Sequence, residues 1–181
     1  MNIKKGPWTI TDSKTVYQNP WIKVREDKVI RPDGKNGIYG IVEMKHGISV
    51  LPIDNDGNVY LTREYHYAVE QITTEVVSGG IDKGENKEDA TKRELREELG
   101  ITASELIYLG KVLPLTSLVE ITNHLFLARG LRFSEARPEG TEIIKVVKVS
   151  MKKAVDLVFD GTICDGTTVA LILKAKEYLG L

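Results

Sequence analysis

Residues 79–101 read GGIDKGENKEDATKRELREELGI, and the fold turns on this stretch. Gly79-Gly80 lets the backbone turn sharply and leaves carbonyls free at the end of a strand. Asn86 is a good N-cap, Glu88 and Asp89 place acids where the helix dipole favours them, and Gly100 is a natural stop. The spacing predicts a helix over 87–99 with Leu95 and Leu99 on its core side. The outer face of that helix is unusual. Glu94, Glu97 and Glu98 fall at i, i+3 and i+4, so three carboxylates project from one side. Like charges at that spacing weaken a helix by roughly a few tenths of a kcal/mol per pair. A sequence that accumulates them either leaves them to water or gathers them around a cation.

Upstream, residues 1–20 read as mixed, with Pro7 and Pro20 as breakers. Alternation from Trp21 to Ile30, the turn Pro32-Asp33-Gly34 and a β-rich run from Ile38 to Met44 predict a hairpin. Ile48–Ile53 and Val59–Tyr67 read as strands joined by Asp54-Asn55-Asp56-Gly57. That turn raises the question of a calcium loop, but its closing acid position holds Tyr65, so a hairpin turn is the better reading. Thr73–Ser78 is a short β segment leading into the glycines. Downstream, 106–112, 123–128 and 143–149 read as strands, 131–142 as a polar loop, and Ser150 and Thr167 open two further helices.

The whole chain sets outer limits. Its 181 residues suffice for one full core with a small appendage, and 41% hydrophobic with 28% charged residues is ordinary for a globular protein. A net charge of −1 gives no electrostatic case for nucleic acid or an anionic membrane as partner. A single cysteine, Cys164, excludes an internal disulfide framework and a Cys-rich zinc site. The start, MNIKKGPWTITDSK, lacks the apolar core of a secretory signal, and no apolar run approaches a membrane span. The expected compartment is therefore the cytoplasm.

An anionic substrate would then need bound cations or local Arg and Lys. Oxygen ligands without His or Cys select hard cations, Mg²⁺ or Mn²⁺, over zinc. Glu85 adds a loop carboxylate, and Arg93 flanks the acidic face, where its fork can hold a Glu by a bidentate contact.

Together these residues resemble the Nudix box, G-x5-E-x7-R-E-U-x-E-E-x-G-U with U aliphatic. Gly79, Glu85, Arg93, Glu94, Leu95, Glu97, Glu98, Gly100 and Ile101 match it without departure. The resemblance implies an α/β fold: a Nudix-type α/β/α sandwich with a mixed sheet and an N-terminal antiparallel β hairpin arm. The arm is expected over 1–46, for dimerisation and base binding, and the hydrolase domain over 47–181. The chain looks most like the ADP-ribose pyrophosphatase branch, whose members hydrolyse nucleoside diphosphate sugars. Arg63-Glu64-Tyr65-His66-Tyr67 resembles its Arg-rich strand, where the Arg contacts substrate. Trp21 and Tyr39 resemble paired aromatics of the arm that stack on the base, often across a dimer. The Pro-x-Pro-Gly run common in that branch is altered here to Leu113-Pro114-Leu115-Thr116-Ser117-Leu118, so a GDP- or ADP-hexose is compatible as well as ADP-ribose.

By resemblance, Glu94 and Glu98 are the main metal ligands, joined by the Ser78 backbone carbonyl, with Glu97 a third ligand or a base. Two or three Mg²⁺ would neutralise the diphosphate and activate the attacking water. The products would be a nucleoside monophosphate and a sugar phosphate. The branch often draws its general base from a late loop, which makes Glu139 and Glu142 candidates beside Glu97. A homodimer is the family expectation. The alternative is a non-catalytic module that senses a nucleotide sugar on a Nudix fold, although a pure binder would not need the full carboxylate set. A nucleoside triphosphate cleanser is disfavoured by the arm and the 63–67 strand.

Overall fold

The computed structural model describes residues 2–136 and 143–181. In chain order the elements are β1 (Ile3–Lys5), β2 (Trp8–Gln18), β3 (Ile22–Ile30), β4 (Asn36–Met44), β5 (Gly47–Pro52), β6 (Asn58–His66), β7 (Gln71–Glu75) and β8 (Val77–Gly80). Then come α1 (Lys87–Leu99), β9 (Ile101–Val112), β10 (Val119–Glu120), β11 (Asn123–Phe133), β12 (Lys145–Ser150), α2 (Met151–Phe159) and α3 (Gly166–Leu179). They divide into two compact units: residues 1–45 with 113–121, and residues 46–112 with 122–181.

The first unit is a single sheet in the order β1-β2-β3-β4-β10. It is larger than the hairpin expected from 21–45. Residues 8–18 are a full strand, because the two prolines lie beside it rather than in it. Pro7 follows Gly6, whose φ of 59° turns β1 back on β2, and Pro20 sits in the turn before β3. The Asn19 carboxamide oxygen braces that second turn by accepting from the amides of Trp21 and Ile22 at 2.9 and 2.8 Å. Residues 113–121, between the stretches read as strands at 106–112 and 123–128, supply β10, which pairs parallel with β4 at Val119↔Val42.

The second unit contains the mixed sheet β8-β5-β11-β9, in which β11 runs parallel to β5 and the other pairings are antiparallel. Alternation along the strands sends successive side chains to opposite faces. Ile48, Val50, Val77 and Phe126 pack with Ala90, Leu95 and Leu99 of α1 on one face. Leu51, Leu125 and Leu127 pack with Ala154 of α2 and Leu171, Ile172 and Ala175 of α3 on the other. Helices therefore cover both faces, the α/β/α arrangement expected. A second, antiparallel sheet, β12-β6-β7, belongs to the same unit. The segment read as one strand over 73–78 is two strands, β7 and β8, in different sheets. The break falls at Val76, whose amide donates to the Thr168 hydroxyl at 3.2 Å.

Helix α1 ends as its sequence requires. Gly100 takes φ 62°, and its amide reaches back to the carbonyls of Arg96 and Leu95. The Ser134 amide and hydroxyl both donate to the Gly100 carbonyl, at 2.7 and 3.0 Å. A Cβ at Gly100 would collide with the backbone of Ser134–Ala136. The Asp54 turn is a tight turn, closed by the single bridge Ile53↔Val59, but the strands it joins, β5 and β6, lie in different sheets instead of forming a hairpin ladder. Asp54 Oδ1 accepts from the amides of Asp56 and Asn58, and Gly57 has φ 79°. Among the described residues no helix is long and apolar enough to cross a membrane.

Leu95 is fully buried where α1 meets the mixed sheet. Leu95→Ala is expected to lower unfolding free energy by about 2–5 kcal/mol, read from urea denaturation, with the far-ultraviolet circular dichroism of the folded state unchanged.

Candidate active site

Two elements build the site: the carboxylate face of α1 and the end of β8. The helix is set in place by its cap, where Asn86 accepts from the Asp89 amide at 2.8 Å, and by burial of Ala90, Thr91, Leu95 and Leu99. With those residues against the sheet, Glu94, Glu97 and Glu98 are left half-buried along its flank. Gly79 on β8 faces Glu94 directly. A Cβ there would coincide with the Glu94 carboxylate, so the missing side chain is the space the acid occupies.

Arg93 ties the parts together. Its Nε and Nη2 hold Glu85 bidentately at 3.0 and 3.1 Å, and Nη2 also donates to the Gly80 carbonyl at 2.9 Å. Its Nη1 donates to Glu94 Oε1 at 2.7 Å and Glu97 Oε2 at 3.1 Å. One guanidinium thus joins the loop before α1, the end of β8 and two of the three helix acids. The hydrogen bonds it donates to Glu85, then the charge of Glu94, outweigh burial and hold the guanidinium well above its ordinary pKa. The same contact, helped by the Asp82 amide, holds the Glu85 carboxyl below the usual range.

Three carboxylates share one guanidinium, and Glu98 adds a fourth acid on the same helix face, so the cluster keeps a net negative charge. Its donors are all oxygens, and Glu94 is fixed beside a glycine carbonyl strand end. This donor set suits a hard divalent cation. Among the described residues no three His, Cys, Asp or Glu side chains are grouped so as to hold a metal ion by themselves. Mg²⁺ is usually held by one or two carboxylates plus substrate phosphates rather than by such a cage.

The remaining candidates are dispersed. Ser78 lies on β8 beside Gly79, next to the cluster. Arg63 is exposed on β6, opposite Lys145 and Thr74. Trp21, 74% exposed, precedes β3, and Tyr39 lies on β4. Tyr39 pairs in register with Asp27, six residues along the strand from Trp21, about 20 Å at the rise of an extended chain. Within one chain the two rings therefore do not form the pair the resemblance suggested. Tyr39 instead meets Trp8 edge-to-face at 5.5 Å and donates its hydroxyl to the Ser117 carbonyl at 2.7 Å. Glu139 and Glu142 lie outside the described residues.

Trp8 and Asp27 are residues that the sequence reading passed over. With Tyr39, Ser117 and Glu120 they line a cavity of about 370 Å³ in the first unit. Asp27 is buried there, accepting from the Ser13 hydroxyl at 2.6 Å with Arg25 at 3.7 Å. The alternation of Trp8-Thr9-Ile10 is the signal that was available, masked by its nearness to Pro7.

Glu85 gives the site a pH signature. A carboxyl whose folded pKa is depressed stabilises the fold above its unfolded pKa and loses that contribution as pH falls through the folded value. The stability gap between the wild type and Glu85→Gln is therefore expected to be widest near neutrality. It should shrink as pH falls through and below the ordinary carboxylate range, measured by urea denaturation. A gap that widens on acidification would contradict the Arg93–Glu85 assignment.

Comparison with known proteins agrees with this geometry. Residues 8–42 match the model of the nucleoside diphosphate sugar hydrolase N-terminal domain, and residues 44–158 match that of the NUDIX domain. The chain is 27% identical over 168 residues to the ADP-ribose pyrophosphatase of Bacillus subtilis (strain 168), covering 91% of each protein. It is 24% identical over 171 residues to the methanol dehydrogenase activator of Bacillus methanolicus, covering 93% of this chain and 90% of that one. A crystal structure of an ADP compounds hydrolase superposes with a TM-score of 0.85 at 24% identity, covering 96% of this chain and 94% of that one, and shares its fold. With the box residues gathered by Arg93 and the NUDIX model matched over most of its length, the chain belongs to the Nudix family of hydrolases, which act on pyrophosphate bonds.

Proposed function

We propose that this protein is a Mg²⁺-dependent pyrophosphohydrolase of nucleoside diphosphate sugars, ADP-ribose or a related ADP- or GDP-sugar, releasing a nucleoside monophosphate and a sugar phosphate. The observation that carries the reading is the carboxylate cluster held by Arg93 against Gly79. The N-terminal match to nucleoside diphosphate sugar hydrolases and the likeness to an ADP-ribose pyrophosphatase support the substrate class.

The chain's own groups take these roles. Glu94, Glu97, Glu98 and the Ser78 carbonyl hold the cation, Mg²⁺ or Mn²⁺. A divalent cation bound there supplies the positive charge that lets a diphosphate approach a carboxylate-rich surface. Arg93 restrains Glu94 and Glu97, so little reorganisation is needed when substrate arrives. Glu97, or Glu139 or Glu142, takes the proton from the attacking water. Arg63 pairs with substrate charge, and Trp21 and Tyr39 serve the base. Because those two rings are far apart in one chain, a shared base site needs them from different subunits, which fits a homodimer. The reaction is assigned to the cytoplasm.

A panel of ADP-ribose, ADP-glucose, GDP-mannose and diadenosine polyphosphates, assayed with Mg²⁺ for monophosphate release, tests the reading. Turnover of a diphosphate sugar is expected, and tight binding without release from any of them would favour a sensing module. Glu98→Gln is expected to lower kcat by about a hundredfold or more with the fold intact. Near-normal hydrolysis by that variant would remove Glu98 from the metal site. Trp21→Ala is expected chiefly to raise KM, by about tenfold, the scale of one lost base stack.

A further inference from the structure

The end of β8 is held from two sides, and only one of them belongs to the Nudix box. Gly79 looks toward Glu94 and α1. By strand alternation the adjacent Ser78 side chain points to the opposite face. There it meets a short chain of polar groups from β5 and β11. The Asn123 carboxamide donates to Ser49 Oγ at 3.0 Å, and the Ser49 and Ser78 hydroxyls are 2.6 Å apart. Ser78 Oγ in turn donates to the Val76 carbonyl at 3.3 Å.

Each hydroxyl has a single proton. Either hydroxyl can donate in the Ser49–Ser78 pair, and one arrangement satisfies every bond named above. In it Ser78 donates to Val76, Ser49 donates to Ser78, and Ser49 accepts from Asn123. In that arrangement the bonds run in one direction, from Asn123 through Ser49 and Ser78 to Val76, an order in which neighbouring bonds strengthen one another, and Asn123 Oδ1 is left without a partner among the described residues. Ser49 is fully buried, so water cannot replace a lost partner there. The far end is anchored too, since the Val76 amide donates to the buried Thr168 hydroxyl. Beside the chain, a Cβ on Gly47 would lie 3.0 Å from the Gly79 carbonyl oxygen and 3.3 Å from Asn123 Oδ1. The Asn123 side chain thus borders the same glycine that the β8 carbonyl faces.

We infer that Ser49 and Asn123 are positioning residues for metal binding: through the Ser78 hydroxyl they set the rotation of the Ser78–Gly79 backbone, and so the aim of the Ser78 carbonyl at the cation. The inference rests on the reading of Ser78, Glu94 and Glu98 as the metal site. It places part of the metal affinity in two residues outside the box, on the far face of the sheet.

Mn²⁺ binding to the full-length protein without substrate, followed by electron paramagnetic resonance, is the direct test. Ser49→Ala and Asn123→Ala are each expected to raise the Mn²⁺ dissociation constant by about tenfold, the usual cost of removing a partner that orients a ligand. The Mg²⁺ concentration for half-maximal activity should rise in parallel, while kcat at saturating Mg²⁺ returns toward the wild-type value. Asn123 is only partly buried, so Asn123→Ala reads out the effect if Ser49→Ala does not fold. Glu94→Gln is the control. If Glu94→Gln loses Mn²⁺ while the folded Ser49 or Asn123 variant binds it as the wild type does, the positioning role is wrong and the metal reading stands. A lowered melting temperature with unchanged Mn²⁺ affinity likewise overturns the positioning role. If Glu94→Gln also binds Mn²⁺ normally, the metal reading itself falls.

Discussion

A single guanidinium makes the acidic face of α1 tenable. Without Arg93, Glu94 and Glu97 would repel along the helix, and Glu85 would lose the partner that ties it to the helix. With it, two helix acids, the loop acid and a strand carbonyl share one cation through five contacts. Arginine suits this role because its planar fork presents several donors in fixed directions and keeps its charge. A lysine would offer a point charge and could not span the same set. Arg93 balances only part of the negative charge, and the remainder is what suits the cluster to the divalent ion proposed for it.

How much of this was legible in the sequence depends on how local each determinant is. Helix α1 was readable end to end, since Asn86, the first-turn acids and Gly100 all act within the helix and its caps. The Asp54 turn was readable for the same reason. Strand β2 was not: Pro7 and Pro20 looked like breakers, and only the fold reveals that both stand in turns. The split between β7 and β8 was also hidden, because the group that stabilises it, Thr168, lies 92 residues further on. The distance between Trp21 and Tyr39 follows from strand register, which residue spacing alone does not specify. The box acids were visible as a pattern, whereas Ser49 and Asn123, the positioning residues proposed above, carry no pattern and become visible only as hydrogen-bond partners.

The mixed sheet gives the site its rigidity. Its β8 edge has the carboxylates on one face and the serine–asparagine chain on the other, with in-register pairing to β5 between them. Catalytic geometry built on a strand and a helix is more exact than geometry built on loops. The first unit contributes differently. Its cavity around Trp8, Asp27 and Tyr39 combines aromatic walls with a buried carboxylate, a composition shared with many small-molecule sites.

The junction at Gly100 has a consequence for variation within this chain. Gly34, Gly57 and Gly100 all adopt left-handed backbone, but a side chain at the first two would enter open space. Asparagine, which tolerates that conformation, should be accepted there and refused at Gly100. Three glycines of similar φ thus carry unequal mutational freedom. A deep substitution scan of this protein would separate glycines needed for a bend from the one needed because two stretches of backbone share its space.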